Sequence, residues 1–473
     1  MLKKLLSHGF LYSIGPQVPK IANIFVLPII TLYLTPLDYG IYGTVLAYSA
    51  IFGGVKSLGF DILLVNSFYK KNSWKLYWGR YMGFLLAFNV FFFFLYSAAL
   101  YFLIPEEVGE NKWKLILLIG IPALFLDVVN MFGGRYFQLL QKPKFLAITT
   151  SVSGVVTILL NLYTIAVLKL GYMGWFISTA AGTSLIFLFY LYPIFSVAKI
   201  KISFSGKFKF WKRSLSVSLP TVPHNYSSYL LNSSDRLVLD RLNVPVSQIG
   251  IYNLAYIFGG YMEVFGTAIG MAVGPYITSL YAKKNKAAEQ QVQTLIFFLL
   301  VSFILICSLI ALWAKEIFQV LIKNDDLIYA YPLAVIIIMG YSFKPLYWAG
   351  VSKLLFYEVT SKLWRVSFVA GVMNVVLNLI FIPFYGIYAA AVTTFVSLFY
   401  LAIAPYFIKE YRNMDNAKFY PFVWLLFILI LTVVIYLSRD LAILYKMLFT
   451  LGFLLAFVVY FLKERAKIQS VDI

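Results

Sequence analysis

The chain has 473 residues, of which 62% are apolar and 12% charged, about half the charged share of an ordinary soluble domain. That excludes a water-soluble fold, and the formal charge of +20, carried mostly in short loops between apolar runs, sets membrane topology rather than nucleic-acid binding. A single cysteine, Cys307, inside an apolar run, and only two histidines exclude a disulfide framework, Cys- or His-based metal clusters and iron–sulfur chemistry, so no cofactor is expected.

Met1 to Phe10 is a short basic amphipathic lead without a small-residue cleavage site. Apolar runs long enough to cross about 30 Å of hydrocarbon then follow at 10–34, 41–65, 81–104, 115–140, 146–168, 174–196, 215–238, 249–281, 292–313, 331–357, 366–383, 387–407, 420–437 and 441–462. They are continuously apolar rather than alternating, which favours helices over a barrel. The fold class is therefore all-α integral membrane, with about 14 transmembrane helices. Counted over the loops, one face carries 25 Lys and Arg, including Lys70, Lys71, Lys142, Lys207 and Lys212, and the other face 7. The bias predicts a multi-pass protein with both termini in the cytoplasm.

The sequence also matches itself. Pro16-Gln17-Val18-Pro19 recurs as Pro220-Thr221-Val222-Pro223, and Gly40-Ile41-Tyr42 as Gly250-Ile251-Tyr252. The segment Gln141 to Tyr163 aligns without gaps on Glu358 to Ile380, matching Gly154 with Gly371 and Leu160-Asn161-Leu162 with Leu377-Asn378-Leu379. The order of these matches and their slowly growing offset predict a duplication. Each copy holds six spans, so the copies run parallel and pack around a central cavity near the bilayer midplane. The expected organisation is a six-helix bundle over 1–204, a second over 205–410, and two additional helices with the tail over 411–473. Transport is the default reading of such an arrangement.

The run Ser218-Leu219-Pro220 leading to Asp235-Arg236-Leu237-Val238-Leu239, then Gly250-Ile251-Tyr252-Asn253-Leu254-Ala255-Tyr256, resembles the start of the second half of bacterial polysaccharide-biosynthesis flippases. Asn378-Leu379 through Ile382-Pro383, then Tyr385-Gly386-Ile387-Tyr388-Ala389-Ala390-Ala391, resembles their eleventh-to-twelfth span junction. These are the O-antigen and capsule-repeat translocators of the multidrug, oligosaccharidyl-lipid and polysaccharide exporter superfamily, and the resemblance covers roughly residues 1–410. It implies a flippase of the bacterial inner membrane, moving an anionic polyprenyl-pyrophosphate oligosaccharide to the outer leaflet by alternating access, coupled to H+ or Na+. Membrane lipid is the other expected partner. Two extra spans leave room for the fourteen-span lipid II flippase branch, although that branch's arginine-rich first helix is missing.

Ionisable groups inside hydrocarbon cost at least about 2.5 kcal/mol each, so they face a cavity or a partner. At about 100° per residue, Ser13, Gln17, Lys20 and Asn23 fall on one side of the first span, and Asn225, Ser228, Asn232, Asp235 and Arg236 on one side of the seventh. Each carries two prolines three apart just before Lys20 or His224, which kink the helix and open a cleft. Lys20, Lys56, His224, Asn225 and Asn232 are the candidate substrate-cavity residues. Asp61, Asp127, Glu263 and Lys344 are the ion-coupling or gating candidates. Lys56 and Asp61 lie about 140° apart on a continuous helix and do not pair within it. The repeat offset places Asp127 at the position of Lys344, a pair that would meet across the cavity. Arg135, Arg236, Lys353 and Lys446 lie nearer helix ends and are expected to snorkel. The remaining buried charge is neutral to positive, which suits a pyrophosphate head group better than a cationic drug. A multidrug exporter of the same superfamily and a membrane glycan polymerase or ligase are the competing readings. The second needs paired carboxylates or a metal site near a membrane surface, and the longest outer loop, about 314–330, offers Asp325-Asp326 and little else. No G-x-x-x-x-G-K loop is present for ATP hydrolysis.

Overall fold

The computed structural model describes residues 17–414 and 417–469; the side chains of His224 and Asn225 lie outside the described residues. The chain divides into two compact units, one of Met1–Tyr229 with Pro245–Gly250, the other of Leu230–Val244 with Ile251–Ile473.

In the first unit α1 (Gln17–Ile30) leads into α2 (Pro36–Lys56). Thr35 and Asp38 form a capping box that starts α2, Asp38 accepting from the Thr35 amide at 2.8 Å. The expected second span does not run straight through. Leu58 and Gly59 take left-handed φ values of 48° and 68°, and the helix resumes as α3 (Asp61–Lys70). Only glycine serves at 59, because a Cβ there would lie 2.4 Å from the Ser218 carbonyl oxygen. The unit continues through α4 (Trp74–Leu103), α5 (Lys112–Ile121), α6 (Asp127–Leu139), α7 (Pro143–Asn161) and α8 (Tyr172–Leu191). A π-helical turn at Pro122–Leu126 joins α5 to α6. The seventh run is broken as well, into α9 (Phe208–Ser218), α10 (Val222–Asn232) and α11 (Ser234–Arg241); prolines at 220 and 223 explain the first break.

The second unit holds α11 and most of α12 (Val246–Ala282), followed by α13 (Lys286–Leu312), α14 (Ala314–Leu321), α15 (Tyr331–Gly340), α16 (Lys344–Phe356) and α17 (Thr360–Ile403). It closes with α18 (Pro421–Ser438) and α19 (Ile443–Gln469). Inside α17, Gly386 has φ 54° and ψ −135°, so this stretch is two helices joined at a turn. Eleven helical stretches among the described residues are long and apolar enough to cross a membrane. Splitting the one at Gly386 and adding α1 and the segmented α10–α11 accommodates the fourteen expected crossings. In an apolar 18-residue window of Asp325–Phe356, 72% of the residues are buried, and in that of the last stretch, Ile443–Arg465, only 6%. The former is enclosed by protein, and the latter is left to lipid.

The backbone carries the duplication beyond the sequence matches. Gln141 and Glu358, 217 positions apart, both take left-handed φ values, 54° and 60°. Gly171 and Gly386 both have φ 54°, with ψ −136° and −135°. The starts of α2 and α12 also cross in a self-mirrored way: a Cβ on Gly40 would lie 1.9 Å from the Val246 carbonyl oxygen, and one on Gly250 would lie 1.8 Å from that of Pro36. Gly40 and Gly250 are 210 positions apart, and so are Pro36 and Val246.

The four basic residues expected to snorkel do not. Arg135 Nε bonds Asp61 at 2.7 Å, and Lys353 Nζ bonds Glu289 at 2.6 Å. Arg236 is buried, bonded to Asn253 at 2.9 Å, with its guanidinium 4.2 Å from the Tyr256 ring centre. Lys446 is fully buried on Glu316, 2.7 and 2.8 Å from its two oxygens. Each has a carboxylate, amide or ring within reach, which removes the need to stretch to water.

The turn between α18 and α19 is tied down by Asp440, which accepts from the Tyr331 hydroxyl at 2.6 Å and lies 3.2 Å from Arg439 Nε and 3.5 Å from Lys315 Nζ. Partial burial alone would raise its pKa, but the Tyr331 hydrogen bond and the charges of Arg439 and Lys315 outweigh it and hold the carboxyl below its usual range. A folded-state pKa below the unfolded value of about 3.9 gives stability that is present above that value and lost as pH falls through the lowered one. Asp440→Asn is therefore expected to flatten the acid limb of thermal stability below about pH 5; a limb as steep as the parent's would assign that loss to other groups.

Candidate functional site

Two sets of polar side chains stand out at membrane depth, one in each unit. In the first unit the break at Leu58-Gly59 puts Lys56 at the C-terminal end of α2 and Asp61 at the start of α3, each complementing its helix dipole. The π-helical turn does the same for Asp127, at the start of α6. Lys56 Nζ bonds Asp127 at 2.7 Å, and Arg135, two turns further along α6, bonds Asp61. The two ion pairs therefore stand one above the other between the second and fourth spans. All four side chains are partly exposed, between 28% and 42%, into two adjoining cavities of about 320 Å³ each that share Asp61, Asn130 and Met131. Asn130 adds a 3.3 Å bond to Asp127.

Asp127 thus has its partner inside its own unit. Lys344 likewise turns to its own unit, donating to the Glu263 carbonyl oxygen at 3.1 Å and to Thr267 at 3.3 Å, while the Glu263 carboxylate faces the Tyr341 hydroxyl at 3.5 Å. Lys20 is exposed; its neighbour Pro19 fills the space left open by Gly154 of α7, where a Cβ would lie 2.0 Å from the ring.

The second unit contains a network that sequence reasoning did not single out. Asp235 is fully buried and accepts from the Tyr252 hydroxyl at 2.6 Å, the Asn378 amide at 2.7 Å and the Thr394 hydroxyl at 3.1 Å. Asn378 also donates to Asn374 at 3.1 Å and accepts from Thr393. Asn232 lies at the edge of this network, accepting from Tyr256 at 3.2 Å. One signal was legible: Asp235 is the first acidic residue after Asp127. A carboxylate with only neutral donors on it, out of water and beside oxygens from α11, α12 and the two halves of α17, is equipped to take up a proton or a small hard cation. Among the described residues no group of three or more His, Cys, Asp or Glu is placed to hold a metal.

The family model described as polysaccharide biosynthesis protein matches residues 5–281, more than half of the sequence. The chain belongs to the polysaccharide biosynthesis protein family. A second model, MatE, matches residues 220–380. Among solved structures the chain is similar to the lipid II flippase MurJ in an inward closed conformation, with TM-score 0.75 at 16% identity over 96% of this chain and 99% of that one. An outward-facing multidrug-resistance MATE transporter of the MOP superfamily follows at TM-score 0.54 and 16% identity, covering 86% and 94%. A MOP superfamily transporter from Pyrococcus furiosus, described as having a binding pocket of reverse polarity, gives TM-score 0.53 at 14% identity over 86% and 96%. No curated protein matches. Family and fold together make this a multi-pass membrane protein of the polysaccharide biosynthesis protein family, with the fold seen in the lipid II flippase and in MATE transporters.

Proposed function

We propose that this polysaccharide biosynthesis protein moves a polyprenyl-pyrophosphate-linked oligosaccharide from the inner to the outer leaflet of the bacterial inner membrane, both termini being cytoplasmic, by alternating access driven by H+ or Na+. The observation that supports this best is the crevice of the first unit, where Lys56 and Arg135 are held by Asp127 and Asp61 and remain partly exposed. Two carboxylates occupying two cations mimic a pyrophosphate, and a diphosphate brings more negative charge and more acceptor oxygens than the internal partners it would displace. Lys20 is a further candidate cation for the head group, and His224, Asn225 and Asn232 are the other candidate substrate-cavity residues. Asp61 and Asp127, once released, and Glu263 with Lys344 and Asp235 in the second unit, are the groups available to couple an ion to the cycle.

Lys56→Ala with Arg135→Ala should lower export of lipid-linked glycan at least tenfold in cells that depend on this protein, with membrane levels unchanged. Asp61→Asn with Asp127→Asn frees the same cations and should keep head-group binding. Normal export by the Lys56→Ala, Arg135→Ala variant would rule out phosphate recognition in this crevice.

A further inference from the structure

The segment leading from the sixth span to the seventh plays no part in the reading above. From Lys199 to Ser205 it runs as a strap along the first turns of α4, where the Ser203 amide donates to the Gly79 carbonyl at 3.0 Å. A Cβ on Gly79 would lie 2.0 Å from the Lys201 carbonyl oxygen, and one on Gly83 would lie 2.3 Å from that of Ser203. Two glycines four residues apart thus clear the groove in which the strap sits. The chain then folds back as α9, stacking Phe210 on Tyr81 and Trp211 on Phe84 with ring centres 5.8 and 4.4 Å apart and burying Ser214 and Ser218.

What this pinned segment turns outward is unusual. Lys199, Lys201, Lys207, Lys209, Lys212 and Arg213 are all exposed. Between them Phe204 is 71% and Phe208 82% exposed, although neighbouring aromatics of the same segment are stacked away. Lys70, Lys71 and Lys75 at the entry to α4 are exposed too, and no acidic residue occurs anywhere between Asp127 and Asp235. Depth follows from length: α4 has 30 residues, about 45 Å of helix against about 30 Å of hydrocarbon. Gly79 and Gly83 lie in its first ten residues, so the strap runs at the level of the lipid head groups.

We infer that this linker is a docking surface for anionic phospholipid of the leaflet it faces, with its cations on lipid phosphates and Phe204 and Phe208 set between the acyl chains. The partner is bulk anionic lipid, not the transported one. Cations without acidic neighbours select negative charge, and bare phenyl rings beside them select an apolar layer directly beneath that charge. A soluble acidic protein offers the first without the second.

The test uses the full chain with Cys307→Ser and an environment-sensitive fluorophore on Phe208→Cys, in nanodiscs of phosphatidylcholine alone or mixed with phosphatidylglycerol. Emission should rise about twofold or more with phosphatidylglycerol, the rise shrinking at about 1 M salt as the Debye length falls to about 3 Å. It should vanish when Lys207, Lys209, Lys212 and Arg213 are all changed to Gln. Hydrogen exchange of residues 199–218 in the unlabelled parent should slow in parallel and guards against a label that disturbs the fold. Equal emission and exchange in the two nanodiscs, or a phosphatidylglycerol response that survives loss of the four cations, would overturn the inference. Because no lipid-linked sugar is present, the result is independent of the transported substrate.

Discussion

On the proposed ion-driven cycle, Asp235→Asn should uncouple transport from the driving ion while leaving a folded protein in the membrane. The substitution keeps the shape of the side chain and removes the charge that the Tyr252 hydroxyl, the Asn378 amide and the Thr394 hydroxyl all point at. Export driven by an imposed proton or sodium gradient in proteoliposomes should drop at least tenfold, and the residual rate should no longer respond to the gradient. Asp235→Ala goes further, because it strands three buried donors at about 1–3 kcal/mol each. That variant should show a clear loss of thermal stability as well as activity. Gradient dependence that survives in Asp235→Asn would move coupling to the carboxylates of the crevice, or to Glu263.

The second large effect is expected where the last helix docks. Lys446 is fully buried on a helix that otherwise faces lipid, and its only carboxylate partner among the described residues is Glu316. The Trp313 indole reinforces the junction by donating to Thr450 at 2.9 Å. Removing one member of such a pair strands the other at a cost of about 3–5 kcal/mol, whereas replacing both with neutral groups of similar volume is often close to neutral. Lys446→Met and Glu316→Gln should each lower the midpoint of thermal unfolding in detergent. The double variant should recover most of the loss, and that non-additivity is the measurement. Additive losses would mean that Lys446 is held by packing against Trp313 and not by charge.

How much of this was legible in the sequence depends on what each residue signals locally. Span count, helical class and duplication were readable because hydropathy and repeated motifs are local properties. The break at Leu58-Gly59 was not, since one glycine within a membrane span does not by itself mark a break; only the backbone and the approach of Ser218 require a glycine there. With a continuous helix assumed, Lys56 and Asp61 looked like lone charges about 140° apart, and pairing with the fourth span could not be foreseen. The snorkelling expectation for Arg135, Arg236, Lys353 and Lys446 failed for a related reason. Distance from a helix end is visible in a sequence, but a partner 64 to 130 positions away, such as Glu289 or Glu316, is not. Asp235 was placed on the polar side of the seventh span and passed over because its partners come from helices more than a hundred residues downstream as well as from Tyr252.

The self-mirrored crossing at Gly40 and Gly250 has a consequence for the sequence. A contact in which residue i meets the partner of j, and j meets the partner of i, is what a two-fold homodimer interface looks like. A single six-helix chain that met a second copy of itself through this one glycine would need close approach only once in its sequence. A chain that carries both halves holds that requirement twice, at Gly40 and at Gly250. Both positions are glycine, and a methyl group at either would lie within 2 Å of a carbonyl oxygen, so one contact of the two-fold kind constrains this chain at two separate places.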